Sequence, residues 1–331
     1  MIMVDKIFVI KTSQTNPYHN LALEEALLKN VGQGECILYL WQNRQTVVIG
    51  RNQSASDECN IQKLEADGGF LARRLSGGGA VYHDLGNLNF TFLTRAEDFD
   101  KEKQTDVILD AVKSAGLSAE KNGRNDLTID GRKFSGHAYY KTKEQCYHHG
   151  TVMLNVATEP LARYLNVSPL KLRAKGVKSV KSRVINLCEL KPDLTVSQMA
   201  EHLTESFGKI YGLPISYLNE SDFEKEVAEY EARYASPEWK YGDSDVLEHS
   251  VEEKFDWGQV RIDYNCENNI LTKVIFYTDG LDADYFSQTA QKLTGCPIKT
   301  DAIISRLSEN ETEKIFASDI ASLFRRQKNE I

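Results

Sequence analysis

Apolar positions recur at helical spacing in a few stretches of the chain and alternate in several others. His19–Leu28 places Leu21, Leu23, Ala26, Leu27 and Leu28 largely on one stripe, and Asn16-Pro17 supplies a helix start. Thr105–Leu117 repeats at the same period and predicts an amphipathic helix stopped by Gly116. Strands are predicted at the N-terminus up to Ile10, at Cys36–Trp41 and at Thr46–Ile49. Leu88–Leu93 alternates, which predicts a strand with one buried face. Asp130-Gly131 predicts a hairpin turn after Leu127–Ile129, and Thr151–Val156 a further strand. A Glu/Lys-rich helix from about Ser221 ends in a Gly/Asp/Ser cluster around Gly242. Beyond it, Gly258–Tyr264 and Ile270–Tyr277 flank Glu267-Asn-Asn269 as a second hairpin, and helices follow at Asp284–Leu293 and Glu311–Phe324. The pattern predicts an α+β fold, with one domain over residues 1–245 and a small α+β domain over 246–331.

Composition adds exclusions. A chain of 331 residues with net charge −8 is disfavoured as a general nucleic-acid binder. The six cysteines are scattered without a Cys-x-x-Cys pair, so neither a zinc ribbon nor a disulfide scaffold is expected. The start of the chain carries an acid and no cleavage-site pattern, and no apolar run approaches the roughly 20 residues of a membrane span. The expectation is a cytoplasmic monomer that engages neither nucleic acid nor membrane.

Candidate chemistry gathers in four places. Arg73-Arg-Leu-Ser-Gly-Gly-Gly-Ala-Val-Tyr-His-Asp84 holds three consecutive glycines, which add no packing and permit close backbone approach to an anion or flat ring. It is neither a Walker A loop nor a dinucleotide fingerprint, because Tyr82 stands where a last glycine would fall. Asn122-Gly-Arg-Asn-Asp126 precedes Gly131-Arg-Lys-Phe-Ser-Gly136, where Lys133 follows a tight turn and can neutralise charge on a phosphate or carboxylate. Asn125 and Asp126 offer oxygens suited to phosphate-bound Mg²⁺. In Tyr147-His-His-Gly-Thr151 the adjacent histidines point to opposite faces of a strand, which suits them poorly to chelation. Lys171–Arg183 is basic without an acid and favours an anionic ligand or acidic partner.

Taken in order with Asn16–Glu25, Gly50-Arg-Asn-Gln53, Lys175–Arg183 and Glu238–Ser244, these motifs closely resemble the lipoate–protein ligase family. The resemblance runs from about residue 16 to 244, and the tail is similar to the family's small accessory domain. It implies a biotin/lipoate-ligase-like mixed-sheet catalytic domain that activates lipoate with MgATP as lipoyl-AMP. The acyl group then passes to a lysine of apo lipoyl domains of 2-oxoacid dehydrogenase E2 subunits, or of glycine-cleavage H protein. By the same resemblance Arg74, Asn125 and the backbone of Gly79, Ala80, Val81 and Tyr82 hold the nucleotide. Lys133 touches both lipoate and the α-phosphate, and Asp126 takes Mg²⁺. Ser76, Gly77, Gly78, His83 and His149 belong to the lipoate pocket, with Leu21, Trp41 and Phe90 as its apolar slot. His137 departs from the small residue that many relatives carry there, which suggests an altered pocket wall beside Lys133.

Three other functions compete. A lipoyl or octanoyl transferase of the same superfamily needs a reactive thiolate. Cys146 is the only cysteine near a candidate site and is read as incidental. A biotin ligase lacks its basic glycine loop here. A non-catalytic lipoate or nucleotide binder has no need of Lys133 and Asp126.

Overall fold

A computed structural model of the chain describes residues 4–122, 126–166, 184–242 and 245–327. Asn125 and the basic run Lys171–Arg183 lie outside the described residues. The elements begin β1 (Lys6–Lys11), α1 (Pro17–Asn30), β2 (Glu35–Trp41), β3 (Thr46–Ile49), α2 (Ala55–Glu58), α3 (Ile61–Ala66), β4 (Phe70–Arg73), β5 (Val81–His83) and β6 (Asn87–Arg95). Next come α4 (Lys101–Ser114), β7 (Glu120–Asn122), β8 (Asp126–Ile129), β9 (Arg132–Lys141), β10 (Gln145–Met153) and α5 (Thr158–Tyr164). Then follow α6 (Val196–Tyr211), β11 (Ile215–Tyr217), α7 (Glu224–Ala235) and α8 (Pro237–Tyr241). The last stretch holds β12 (His249–Phe255), β13 (Gly258–Glu267), β14 (Ile270–Thr278), α9 (Ala283–Leu293), α10 (Thr300–Leu307) and α11 (Glu311–Gln327).

The principal sheet is mixed, in the order β11-β1-β2-β6-β10-β9-β8-β7. Its first three strands run parallel, because α1 provides the crossover that a parallel β1–β2 pair requires. The others pair antiparallel, and β3 heads a separate small sheet, β4-β3-β5. Asn16 caps α1 through its side chain and Pro17 occupies the first turn. Asp130 and Gly131 both have positive φ, 52° and 72°, as the tight β8–β9 turn demands.

Two expectations change at the centre of the molecule. β6 is buried along both faces, because α4 and α6 cover one side and α1 the other. α1 is not a one-stripe helix: Asn20–Leu28 are all buried, since α7 packs on its outer side. Glu25 there accepts from Tyr234 Oη at 2.7 Å and pairs with Arg233. The residues from β12 to α11 form a three-stranded antiparallel sheet with helices and a hydrophobic core of their own.

Candidate active site

Lys133 owes its position to a slip in the β8–β9 register. Lys133 faces Thr128 while Ser135 faces Leu127, so Phe134 is an extra residue on β9 and sinks into the core. Asp126 stands directly opposite Gly136. The lysine folds across Gly136, where a Cβ would meet its Nζ at 2.6 Å, and its amine reaches Asp126 Oδ1 at 2.7 Å. Both side chains stay more than a third exposed, at 37 % and 36 %. Two opposite charges thus sit at a surface that substrate can reach.

On the same side of the sheet lies a buried polar chain. Trp41 Nε1 donates to Thr91 Oγ1 at 3.1 Å, and Thr91 donates to Glu24 Oε1 at 2.7 Å. Glu24 Oε1 also faces His149 Nδ1 at 2.9 Å, and His149 Nε2 meets Ser76 Oγ at 2.8 Å. His83 lies at the edge of Trp41, with its Nδ1 on the Asn43 amide at 3.3 Å. Burial, then Arg74 and His149, push the His83 pKa down to about 3, so the ring is neutral. His83 Nε2 and Asn89 Nδ2, both flanking Trp41, are buried and have no partner among the described residues. Such atoms in a polar wall call for a ligand or water.

Residues 16–208 match the family described as "Lipoyl protein ligase A/B catalytic domain", and residues 246–324 match "Bacterial lipoate protein ligase C-terminus". The chain belongs to the lipoate–protein ligase family. A relative from Psychrobacter cryohalolentis named lipoate-protein ligase A is 37% identical over 297 residues, covering 87% of this chain and 88% of that protein. Among solved structures, P. falciparum LipL1 in complex with lipoate has a TM-score of 0.83 at 28% identity, covering 95% of this chain and 98% of that one. The bi-partite lipoate protein ligase of Thermoplasma acidophilum has a TM-score of 0.64 at 27% identity and is covered in full by 74% of this chain. A lipoate-protein ligase A bound with ATP has a TM-score of 0.61 at 25% identity, covering 72% of this chain and 98% of that one.

Within this ligase-family fold, several predicted residues take unexpected places. Arg74 is buried, and its guanidinium donates to Ser76 Oγ and to the carbonyls of Val48, Gly77 and Gly79. It braces the glycine loop from beneath, and its donors are not presented to a nucleotide. A Cβ on Gly77 would stand 2.2 Å from Gly280 O, and Gly78 N donates to Gly280 O at 3.2 Å. Close approach at these two glycines therefore serves the chain's own backbone. Gly79 has open space where its Cβ would be, and Val81–His83 form an edge strand with free backbone groups.

The two histidines of β10 do face opposite ways. His148 points to the core, with Nε2 at 2.8 Å from His137 Nδ1 and its own Nδ1 on Gln104 at 3.1 Å. His137 is consequently no pocket wall: the side-chain period of two turns it through the sheet, and side-chain-free Gly136 stands beside Lys133. Phe90 shares that core face, against His137 and His148, and lines no slot. Leu21 and Trp41 do lie on the α1 side with the polar chain. Glu24, Thr91 and Asn89 were not anticipated as site residues. Their signal was present as acids and amides set inside apolar runs, Leu23-Glu-Glu-Ala and Leu88-Asn-Phe-Thr.

Proposed function

We propose that the chain activates lipoate with ATP and transfers the lipoyl group to a lysine of an acceptor protein. The observation that carries this reading is the Lys133 amine, held by Asp126 over Gly136 at an accessible strand face of the catalytic domain. Lys133 brings the lipoate carboxylate and the α-phosphate together and stabilises charge as the carboxylate oxygen attacks phosphorus and pyrophosphate leaves. The backbone of Gly79, Ala80, Val81 and Tyr82 holds the nucleotide, consistent with the open side of Gly79 and the free edge of β5. Ser76, His83 and His149 line the lipoate pocket beside Trp41, where the unpartnered His83 Nε2 and Asn89 Nδ2 lie.

Mg²⁺ fits this arrangement, because it needs only one or two protein oxygens beside phosphate oxygens, and Asp126 is an accessible carboxylate at the phosphate end. Bound there, it supplies neutralisation of phosphate charge. The acyl adenylate requires no enzyme nucleophile: the acceptor amine attacks the acyl carbon and AMP departs. Acceptors in this reading are lipoyl domains, by analogy with the T. acidophilum ligase described with its E2 lipoyl domain, and glycine-cleavage H protein. We place the boundary between catalytic and accessory domains near residue 245, in the cytoplasm of a cell that takes up lipoate.

A thioester relay finds no support among the cysteines. Cys146 is 1 % exposed, and burial pushes its thiol up to about 12. Cys36 and Cys59 are likewise pushed up to about 12. The test is pyrophosphate release on mixing the protein with ATP and lipoate, repeated with Lys133→Ala. The variant is expected to bind ATP and form no adenylate. Undiminished turnover in it would remove Lys133 from the mechanism.

A further inference from the structure

Where the two halves of the chain meet there is a cavity of about 330 Å³ whose walls include Arg51, Gln53 and Arg73 on one side and Phe276, Tyr277 and Ala290 on the other. Lys133 is not among its lining residues. Several direct contacts hold the halves together around it. Thr278 N donates to Asn52 O at 2.9 Å, Asn52 Nδ2 donates to Ala283 O at 3.1 Å, and Arg261 pairs with Asp57.

The lining of this cavity carries two arginines against one acid. Arg73 is only 6 % exposed, and its donors end on the carbonyls of Gly50, Arg51, Gln53, Trp239 and Lys240. Carbonyls satisfy its hydrogen bonds and leave its charge in place. The Arg51 guanidinium carbon sits 4.1 Å from the Trp239 ring centre, and among the described residues the group has neither a hydrogen-bond acceptor nor a carboxylate within 4.0 Å. Burial, and then repulsion from Arg51, lowers the Arg73 pKa to about 10. Gln53, 3 % exposed, keeps an amide nitrogen with no partner among the described residues. Arg261 stacks nearby on Tyr277 but is neutralised by Asp57 and Asp263. The acid in the lining itself is Glu238, which is exposed.

Glu25 and Asp284 attract Arg51 only from farther off, so a partly buried guanidinium beside a buried one is stabilised when an anion joins them. We propose that this cavity is a second binding site, distinct from the ligase centre, for a small ligand carrying an oxyanion. The planar fork of Arg51, fixed on Trp239, suits a carboxylate or phosphoryl group bidentately. The apolar wall from β14 and α9 takes the rest of the molecule, and the volume is that of a small-molecule pocket. A ligand seated there touches both halves and therefore favours their present arrangement by mass action.

The test is thermal unfolding of the full chain at constant ionic strength, titrated separately with sodium phosphate and sodium octanoate against sodium chloride. A saturable rise in Tm with phosphate assigns a phosphoryl ligand, one with octanoate a carboxylate, and one with both the shared oxyanion. In each case Arg51→Met and the cavity-filling Ser287→Trp should weaken the apparent affinity at least tenfold, while Lys133→Ala leaves it unchanged. Ser287 is exposed, so its variant tests the site even where loss of Arg51 harms folding. The proposal is overturned if neither anion acts beyond chloride, if Ser287→Trp responds like the wild type, or if Lys133→Ala abolishes the response.

Discussion

A methyl group at Gly136 separates the placement of Lys133 from its mere presence. The Cβ of Gly136→Ala would stand 2.6 Å from Lys133 Nζ and 2.7 Å from its Cε, where ordinary contact begins at 3.4 Å. The tip of the lysine must therefore retreat by somewhat under ~1 Å and release Asp126. Folding should hardly notice. Lysine is flexible, a pair this exposed contributes only about 0–1 kcal/mol, and alanine in a strand gains about 0.5–1 kcal/mol over glycine. Catalysis should notice strongly, because a misplacement of about 1 Å can cost about 10²-fold. That corresponds to about 2.7 kcal/mol of transition-state stabilisation. Pyrophosphate release with ATP and lipoate should thus fall by roughly 10²-fold in kcat, with Tm held or slightly raised. A variant within twofold of wild-type kcat would refute the argument that the Gly136 surface sets the position of the amine.

Gly77→Ala should destabilise the chain by about 1–3 kcal/mol in denaturant unfolding, because its Cβ would meet the backbone oxygens of Gly280 and Leu281 at 2.2 and 2.9 Å, and backbone cannot swing aside. An unchanged midpoint would show that the two halves do not rest on the glycine loop. Cys146→Ser should keep full ligation, given a thiol raised to about 12 by burial, and lost activity in a folded variant would restore the thioester route. His137 is held below its ordinary 6.5, at about 3, first by burial and then by Lys133. Between those values the unfolded chain binds the extra proton, so stability is full above about pH 6.5 and declines as pH falls toward 3. His137→Gln should flatten part of that acid decline in urea unfolding measured between pH 4 and 6.5, and an identical slope would refute it.

Much of the fold was legible in local pattern. Turn chemistry placed both hairpins, Asp130-Gly131 and Glu267-Asn-Asn269, and the structure puts Asp130, Asn268 and Asn269 at positive φ as those turns require. Less was legible wherever burial comes from distant chain. The alternation of Leu88–Leu93 suggested one wet face, yet Asn89 and Thr91 are buried because α1 covers them. Helix α10 was not anticipated at all, although Ile303, Ile304 and Leu307 stand at helical spacing, because eight residues are a short span for that signal.

The order of motifs along the chain pointed to the family, and it singled out Lys133 as the lysine proposed to carry the chemistry. Strand period alone also determined that His148 and His149 part company. Tertiary structure decided which face belongs to the site, because a one-residue slip at Phe134 brings Lys133 round to Asp126 and Gly136 while His137 turns to the core. It also decided what the arginines do. A basic residue beside a glycine run looks like an anion ligand in any sequence. Only packing shows that Arg74 is held by carbonyls of its own loop, and that Arg51 sits over Trp239 with no carboxylate within 4.0 Å among the described residues.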